Sequence, residues 1–335
     1  MKARVQTKAV DMTLAEWQEL IVSGDAGQWR EKRAEFSAEG QGRLKLVGLR
    51  LSGVDLSGWD FSNCDLRRAH WESVKLAGAD LRDSLLRSAM LRSVDLSGAN
   101  LELATLSEAK GVGVNFSGAN LKSANLMKVN FGRLNLSQAA VDGVDLSAGI
   151  LRGARAQGLS GERAQLLNTD LSGADLSGAK LPEACFKLAR LTEALLTGAV
   201  LTGADLSFSR LQKTDFSGVD LTGAQLHSCV LDDTDFSGAI LRNATISKVR
   251  IDLARFEGAD IDGAVFQAID SSEHRELVKE LRELAEERRK MRAAGQSNLE
   301  LSDGRETLLA PFSQASTVEP GSAPAMETDE AEVEP

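Results

Sequence analysis

Between Leu46 and Phe266 this chain returns to one kind of position every five residues, for 45 consecutive steps without a slip of phase. Leu or Phe fills 37 of those positions. A helix repeats about every 3.6 residues and a strand about every two, so neither element alone produces a period of five. On a straight strand, successive members of the series would point to opposite faces, and a shared core therefore requires a bend at every step. At 335 residues two ordinary domains would fit, but an internal repeat of this length takes precedence over any such division.

The bulky position is the centre of a five-residue grammar. Two residues before it stands a small side chain, as in Ala79, Ala99, Ala119, Ala174 and Ala204, and one residue before it Asp or Asn, as in Asp55, Asp60, Asp95, Asn100 and Asn120. After it come Ser, Thr or a charged residue, and then often Gly. Asp and Asn side chains bond nearby backbone, and Gly relieves a tight turn. Short extended pieces joined by right-angle turns satisfy all of this. Four steps close a square coil, and coils stack as parallel strands about 4.8 Å apart, with centres and small residues inward.

The pattern A-[D/N]-L-x-x, seen in DLSGADLSGAKL (170–181) and GANLKSANL (118–126), resembles the pentapeptide-repeat proteins over roughly residues 44–268. The resemblance implies an all-β solenoid, a right-handed quadrilateral parallel β-helix of about 11 coils with short helical caps at both ends. Parallel strands independently favour right-handed connections, and 11 coils make a rod about 53 Å long. Gly111, Ala156 and Gly161 sit at centres and cannot fill the core, so local narrowing, a kink or a trapped water is expected there, with Leu159 compensating in part.

Four segments follow: an N-terminal helical cap over 1–43, the repeat region over 44–270, a C-terminal helix over 271–295 and a disordered acidic tail over 296–335. A stacked sheet leaves open ends that need covering. Thr13 and Glu16 have capping-box spacing ahead of a stripe of Leu14, Trp17, Leu20 and Ile21, and a second short helix carries Trp29 and Phe36. Leu277, Leu281, Leu284 and Met291 recur along 272–294, either capping the last coil or pairing with a second copy in a homodimer. The formal charge is −10, of which −8 belongs to the tail, whose Pro, Ser and Glu content argues disorder.

No secretory leader and no run of 18 apolar residues is present, and the three cysteines suit a reducing compartment, so a cytoplasmic protein with no membrane span is expected. The three His residues are scattered, no Cys/His group has zinc spacing, and the abundant Ser residues belong to the turns. We expect neither an enzyme nor a cofactor nor a metal, and no direct nucleic-acid binding.

Steps four apart share a face. From the face carrying centre 46 onward, the net charges of the four faces are +3, +3, −3 and −5. Apolar residues that the pattern places outside gather on the first two: Leu85, Met127, Leu167, Leu188 and Phe208, then Met90, Val112, Ile150, Val230 and Leu253. Together with Arg87, Arg92, Lys128, Arg133, Arg152 and Arg210 they mark a basic-apolar surface for an unidentified protein partner. The leading expectation is a non-catalytic scaffold or adaptor. Some members of the family are secretion-associated or effector proteins, and the acidic tail would suit a docking or secretion signal. The alternative, implied by the family's quinolone-resistance members, is a DNA-mimicking binder of DNA gyrase that protects the topoisomerase. Duplex DNA would carry about 31 charges over 53 Å, against −8 on the two acidic faces. For the fold, a far-UV circular dichroism spectrum dominated by β-structure with a minor helical part is the expected result, and a mainly helical spectrum would contradict it.

Overall fold

Every rung of the structure joins one residue to the residue twenty positions later, in parallel register. The computed structural model describes residues 8–40, 42–251 and 254–267, together with Lys279, Glu283 and Lys290. Those three are helical; the rest of the helix expected over 272–294, and the tail over 296–335, lie outside the described residues. Four columns of bridges, passing through Lys45, Arg50, Asp55 and Asp60, give each coil four sides. The chain is thus a quadrilateral parallel β-solenoid of about 11 turns. No described helix is long and apolar enough to cross a membrane.

Most sides are single bridges between turns. Longer strands occur in two places. On the second face β2 (Arg50–Ser52), β4 (His70–Glu72), β5 (Met90–Arg92), β6 (Lys110–Val112) and β7 (Asn130–Gly132) form one sheet. On the first face β1 (Leu44–Lys45) pairs with β3 (Cys64–Asp65), and β8 (Gln225–His227), β9 (Thr245–Ser247) and β10 (Val265–Gln267) form a third sheet near the end of the repeat.

The five-residue grammar is an accounting of peptide N–H groups, none of which can be left buried and unpaired. The step around Leu56 shows it. The N–H of Leu56 donates to Lys75 O at 2.8 Å and that of Gly58 to Ala77 O at 2.9 Å, both on the next coil. Trp59 N–H turns back to Leu56 O at 3.1 Å. The N–H one residue before a later centre reaches the previous coil, as Lys75 does to Val54 O at 3.0 Å. That leaves the residue just after the centre, Ser57, whose N–H is taken by the Asp55 carboxylate at 3.1 Å. The same bond recurs at every described step with Asp or Asn before the centre, except at Asn130 inside β7. Asn side chains also bond along their columns, Asn115 to Asp95 and Asn135 to Asn115, each at 2.9 Å.

Every described residue two positions after a centre, from Gly48 to Gly263, has positive φ. Where the fourth residue also donates to the first, as Trp59 does to Leu56, this is a type II turn. Glycine adopts that φ freely, yet more of these residues are non-glycine than glycine, including Leu103, Leu188 and Phe208.

Centres are buried throughout except Gly111, which is half-buried. Phe216, Phe236 and Phe256 stack on successive coils with centroids 5.2 and 5.1 Å apart. Buried Thr residues at the small position donate to a centre carbonyl on the preceding coil, as Thr214 does to Leu191 O at 2.8 Å. Gly111 and Gly161 produce the expected narrowing by close approach of backbone. A Cβ on Gly161 would lie 2.4 Å from the Asp142 N and Val141 C atoms, and one on Gly111 would overlap Leu91 O. Phe131, directly over Gly111 in the register, meets Phe116 at 6.1 Å and adds aromatic bulk beside the narrow coil. Leu159 is buried, as is Ala156.

The N-terminal cap comprises α1 (Leu14–Ser23), opened by the Thr13/Glu16 capping box, and α2 (Ala26–Ala38). On later coils Asp80 O and Arg82 O accept from Phe61 and Asn63, nineteen residues back. The first coil has no such predecessor. There the Trp29 Nε1 donates to Asp60 O at 3.0 Å and the Arg33 guanidinium to Ser62 O at 2.7 Å. Trp29 also packs against Trp17, Trp59 and Phe61 with centroids 5.5, 5.6 and 4.9 Å away. The cap therefore supplies both the donors and the apolar cover of a missing coil.

The carboxylates in this network are held below their ordinary range: Asp65 by the Arg67 guanidinium, Asp142 by the Glu162 N–H, and Asp55 by the Ser57 hydroxyl and N–H. At Asp205 partial burial pushes the other way, but Lys187 and Ser207 prevail. A depressed folded pKa contributes stability above the unfolded value and loses it as pH falls through the folded one. The thermal midpoint should therefore hold from neutrality down to about pH 5 and fall below about pH 4; a midpoint unchanged at pH 3 would contradict the role of these caps. Gly161→Ala should destabilise by about 1–3 kcal/mol through overpacking. In exposed Leu103, replacement by Gly should stabilise by about 1 kcal/mol through relief of the left-handed turn; denaturant midpoints of the two variants should move in opposite directions.

Candidate interaction surface

Three of the four columns before the centres carry most of the Asp and Asn caps. The fourth, on the second face, reads Arg50, His70, Met90, Lys110, Asn130, Ile150, Asp170, Arg190, Arg210, Val230 and Arg250. Asp170 in this column caps Ser172 and is buried; every other member is exposed. In its first half the three-residue strands β2 and β4–β7 carry the chain through this side, and the column holds cations and apolar groups in place of caps.

At the corner between the first and second faces, this column runs beside Leu188 and Phe208. These are stacked one coil apart, 52% and 51% exposed, with φ of +59° and +63°. A bulky side chain at positive φ is an outlier that a Gly would relieve. Arg190 and Arg210 follow them and are partners in the register. Neither forms an ion pair among the described residues. Phe208 meets the His227 ring edge to face at 5.3 Å, and His227 Nδ1 lies 2.9 Å from the Ser247 hydroxyl. Leu167, Ile150 and Val230 extend the exposed apolar surface.

The residues expected at this surface divide by environment. Met90, Arg92, Lys128, Arg133, Ile150, Leu167, Leu188, Phe208 and Arg210 are exposed. Leu85 and Met127 are only half-exposed, and Leu85 stands between Asp65 and Thr105 in its column. Arg87 is engaged with Glu108 at 2.7 Å and Arg152 with Asp170 at 2.7 Å. Leu253 lies outside the described residues. Arg50, His70 and Arg190 belong with the exposed set; the signal for them is the near absence of Asp and Asn from their column, visible only when each side of the coil is read separately.

The opposite faces are electrostatically quieter than their residue count implies. Asp80 pairs with Arg82, Asp142 with Lys122 at 3.1 Å, Asp235 with Arg255 at 3.2 Å and Asp260 with Arg242. Cys64 and Cys229 are buried, and burial pushes their thiols up to about 12 and about 11, which makes them poor nucleophiles. Among the described residues no group of three or more His, Cys, Asp or Glu is placed to hold a metal ion.

Comparison with known proteins agrees with this architecture. The sequence profile described as pentapeptide repeats matches in eight copies, within residues 72–110, 112–147, 150–181, 184–223, 220–258 and 229–267, more than half of the chain. No curated protein matches. Similar solved structures include HetL, a pentapeptide repeat protein involved in heterocyst differentiation regulation from the cyanobacterium Nostoc sp. strain PCC 7120, at 29% identity over 62% of this chain and 95% of that one, with a TM-score of 0.37. Full-length QnrB1, a plasmid-mediated fluoroquinolone resistance protein, is 18% identical over 69% of this chain and 98% of its own, with a TM-score of 0.22. The repeat matches and the twenty-residue register together identify the chain as a member of the pentapeptide-repeat family.

Proposed function

We propose that this solenoid is a non-catalytic protein–protein interaction module, a scaffold or adaptor that docks a partner protein at the corner of its first and second faces. The observation that carries the reading is the pair Leu188 and Phe208: large, half-exposed side chains in left-handed turns, beside the unpaired Arg190 and Arg210. Each turn costs about 1 kcal/mol relative to Gly, and exposing apolar surface adds nothing to folding. Strained residues of this kind point to a surface role, and apolar groups with Arg are the usual anchors of interfaces. In this reading the protein is cytoplasmic, and the segment 271–295 either caps the last coil or joins two copies.

The gyrase-binding alternative needs a continuous field of negative charge. On the two acidic faces many carboxylates already serve the chain's own N–H groups or its own cations. Those faces offer a weaker imitation of a phosphate backbone than the residue count implies.

The double substitution Leu188→Gly and Phe208→Gly separates the two readings. It should raise the thermal midpoint of the isolated protein while removing a specific protein from affinity capture. Retention of every captured protein by the double variant, with loss upon Asp→Asn changes at Asp215, Asp220 and Asp235, would overturn the proposal. Inhibition of gyrase supercoiling at equimolar protein, sensitive to those Asp changes, would establish the alternative.

A further inference from the structure

At the N-terminal end of the second face, well away from Leu188 and Phe208 in the stack, an open groove of about 430 Å³ crosses the first three strands of the sheet. Its walls are two rows of outward side chains in strict register: Arg50, His70 and Met90 on one side, Ser52, Glu72 and Arg92 on the other. Residues two apart on a strand put these rows about 7 Å from each other, and the rungs within each row are about 4.8 Å apart. Leu51 and Trp71 form the floor.

Two features mark this groove as open to a ligand. First, its charges are unpaired. Some opposite charges one coil apart close ion pairs, as in Lys75 with Asp55, Lys122 with Asp142 and Arg255 with Asp235. Glu72 and Arg92 are also one coil apart, yet among the described residues they form no ion pair, and neither do Arg50 and His70. Second, the Trp71 indole is buried with its Nε1 donor lacking any acceptor, which leaves a polar deficit beneath the groove.

We propose that this groove binds an extended acidic peptide segment, with two carboxylates taken by Arg50 and Arg92 and an apolar side chain between them resting against Met90. Charge complementarity carries the assignment. The two guanidiniums stand on opposite walls two rungs apart, about 12 Å diagonally, within reach of acidic residues three apart in a polyproline-II segment, whose three-residue turn brings both to one face. A nucleic-acid strand fits less well, because its uniform phosphates would meet Glu72 as well as the arginines, and its affinity depends on many cations acting together.

The test uses the ¹⁵N-labelled full chain and a blocked Glu-Ala-Phe-Glu peptide. The Trp71 indole N–H resonance, assigned through Trp71→Phe or by elimination with single substitutions at Trp17, Trp29 and Trp59, should move on titration. Arg50→Gln and Arg92→Gln, both on the exposed surface, should each weaken binding about tenfold, while Leu188→Gly with Phe208→Gly should leave it unchanged. Three results would sink the proposal: no titratable shift, equal binding of a Gln-Ala-Phe-Gln peptide, or displacement of the acidic peptide by an oligothymidylate at equal charge. Because the variants of this groove and of the corner are disjoint, failure here leaves the corner's role standing, and the reverse also holds.

Discussion

The hydrogen bond from the N–H just after a centre to an Asp or Asn side chain just before it is the interaction that shapes the solenoid wherever the sequence supplies it. The coils above and below can serve three of the five N–H groups in a step, and the turn serves a fourth. The fifth has no backbone acceptor, and the short acidic or amide side chain supplies one without leaving its own residue. Leu at the centre fills the core, but this local bond is what makes a right-angle bend compatible with full pairing of the backbone.

The same rule shows where the surface is at liberty to do something else. A column held by Asp and Asn is committed to its own turns, and its polar character follows from that commitment. The second face departs from the rule over most of its length, and there the chain places Arg, Lys, His and exposed apolar groups. Unpaired cations collect on this side, while carboxylates of the third and fourth faces pair across rungs or cap their own turns. The free cations of the folded chain therefore gather on the second face, while the acidic faces are quieter than a count of their residues conveys.

Most of the fold was legible from the residues. The five-residue period, the inward centres, the Thr13/Glu16 capping box and the cover provided by Trp17 and Trp29 all follow from spacing and polarity. Other features depend on neighbours twenty residues away. Leu85 and Met127 are outward by pattern but shielded by their surroundings, and Arg87 and Arg152 are outward but engaged by acids on the next coil. Nor does a Leu or Phe two residues after a centre announce that it adopts the conformation of glycine; position in the turn imposes it. The close approach at Gly161 was foreshadowed by the missing centre side chain, although the atoms responsible, those of Val141 and Asp142, belong to the coil before.

The N-terminal cap bears on how such a chain comes to be folded at all. Each coil pairs with residues about twenty positions earlier, so a segment emerging from the ribosome needs only the coil already laid down as its template. The first coil has no template, and α2 stands in for one through the Trp29 and Arg33 donors. Cover and template are thus one device: α2 closes the amino end with donors of the kind that each later coil receives from its neighbour.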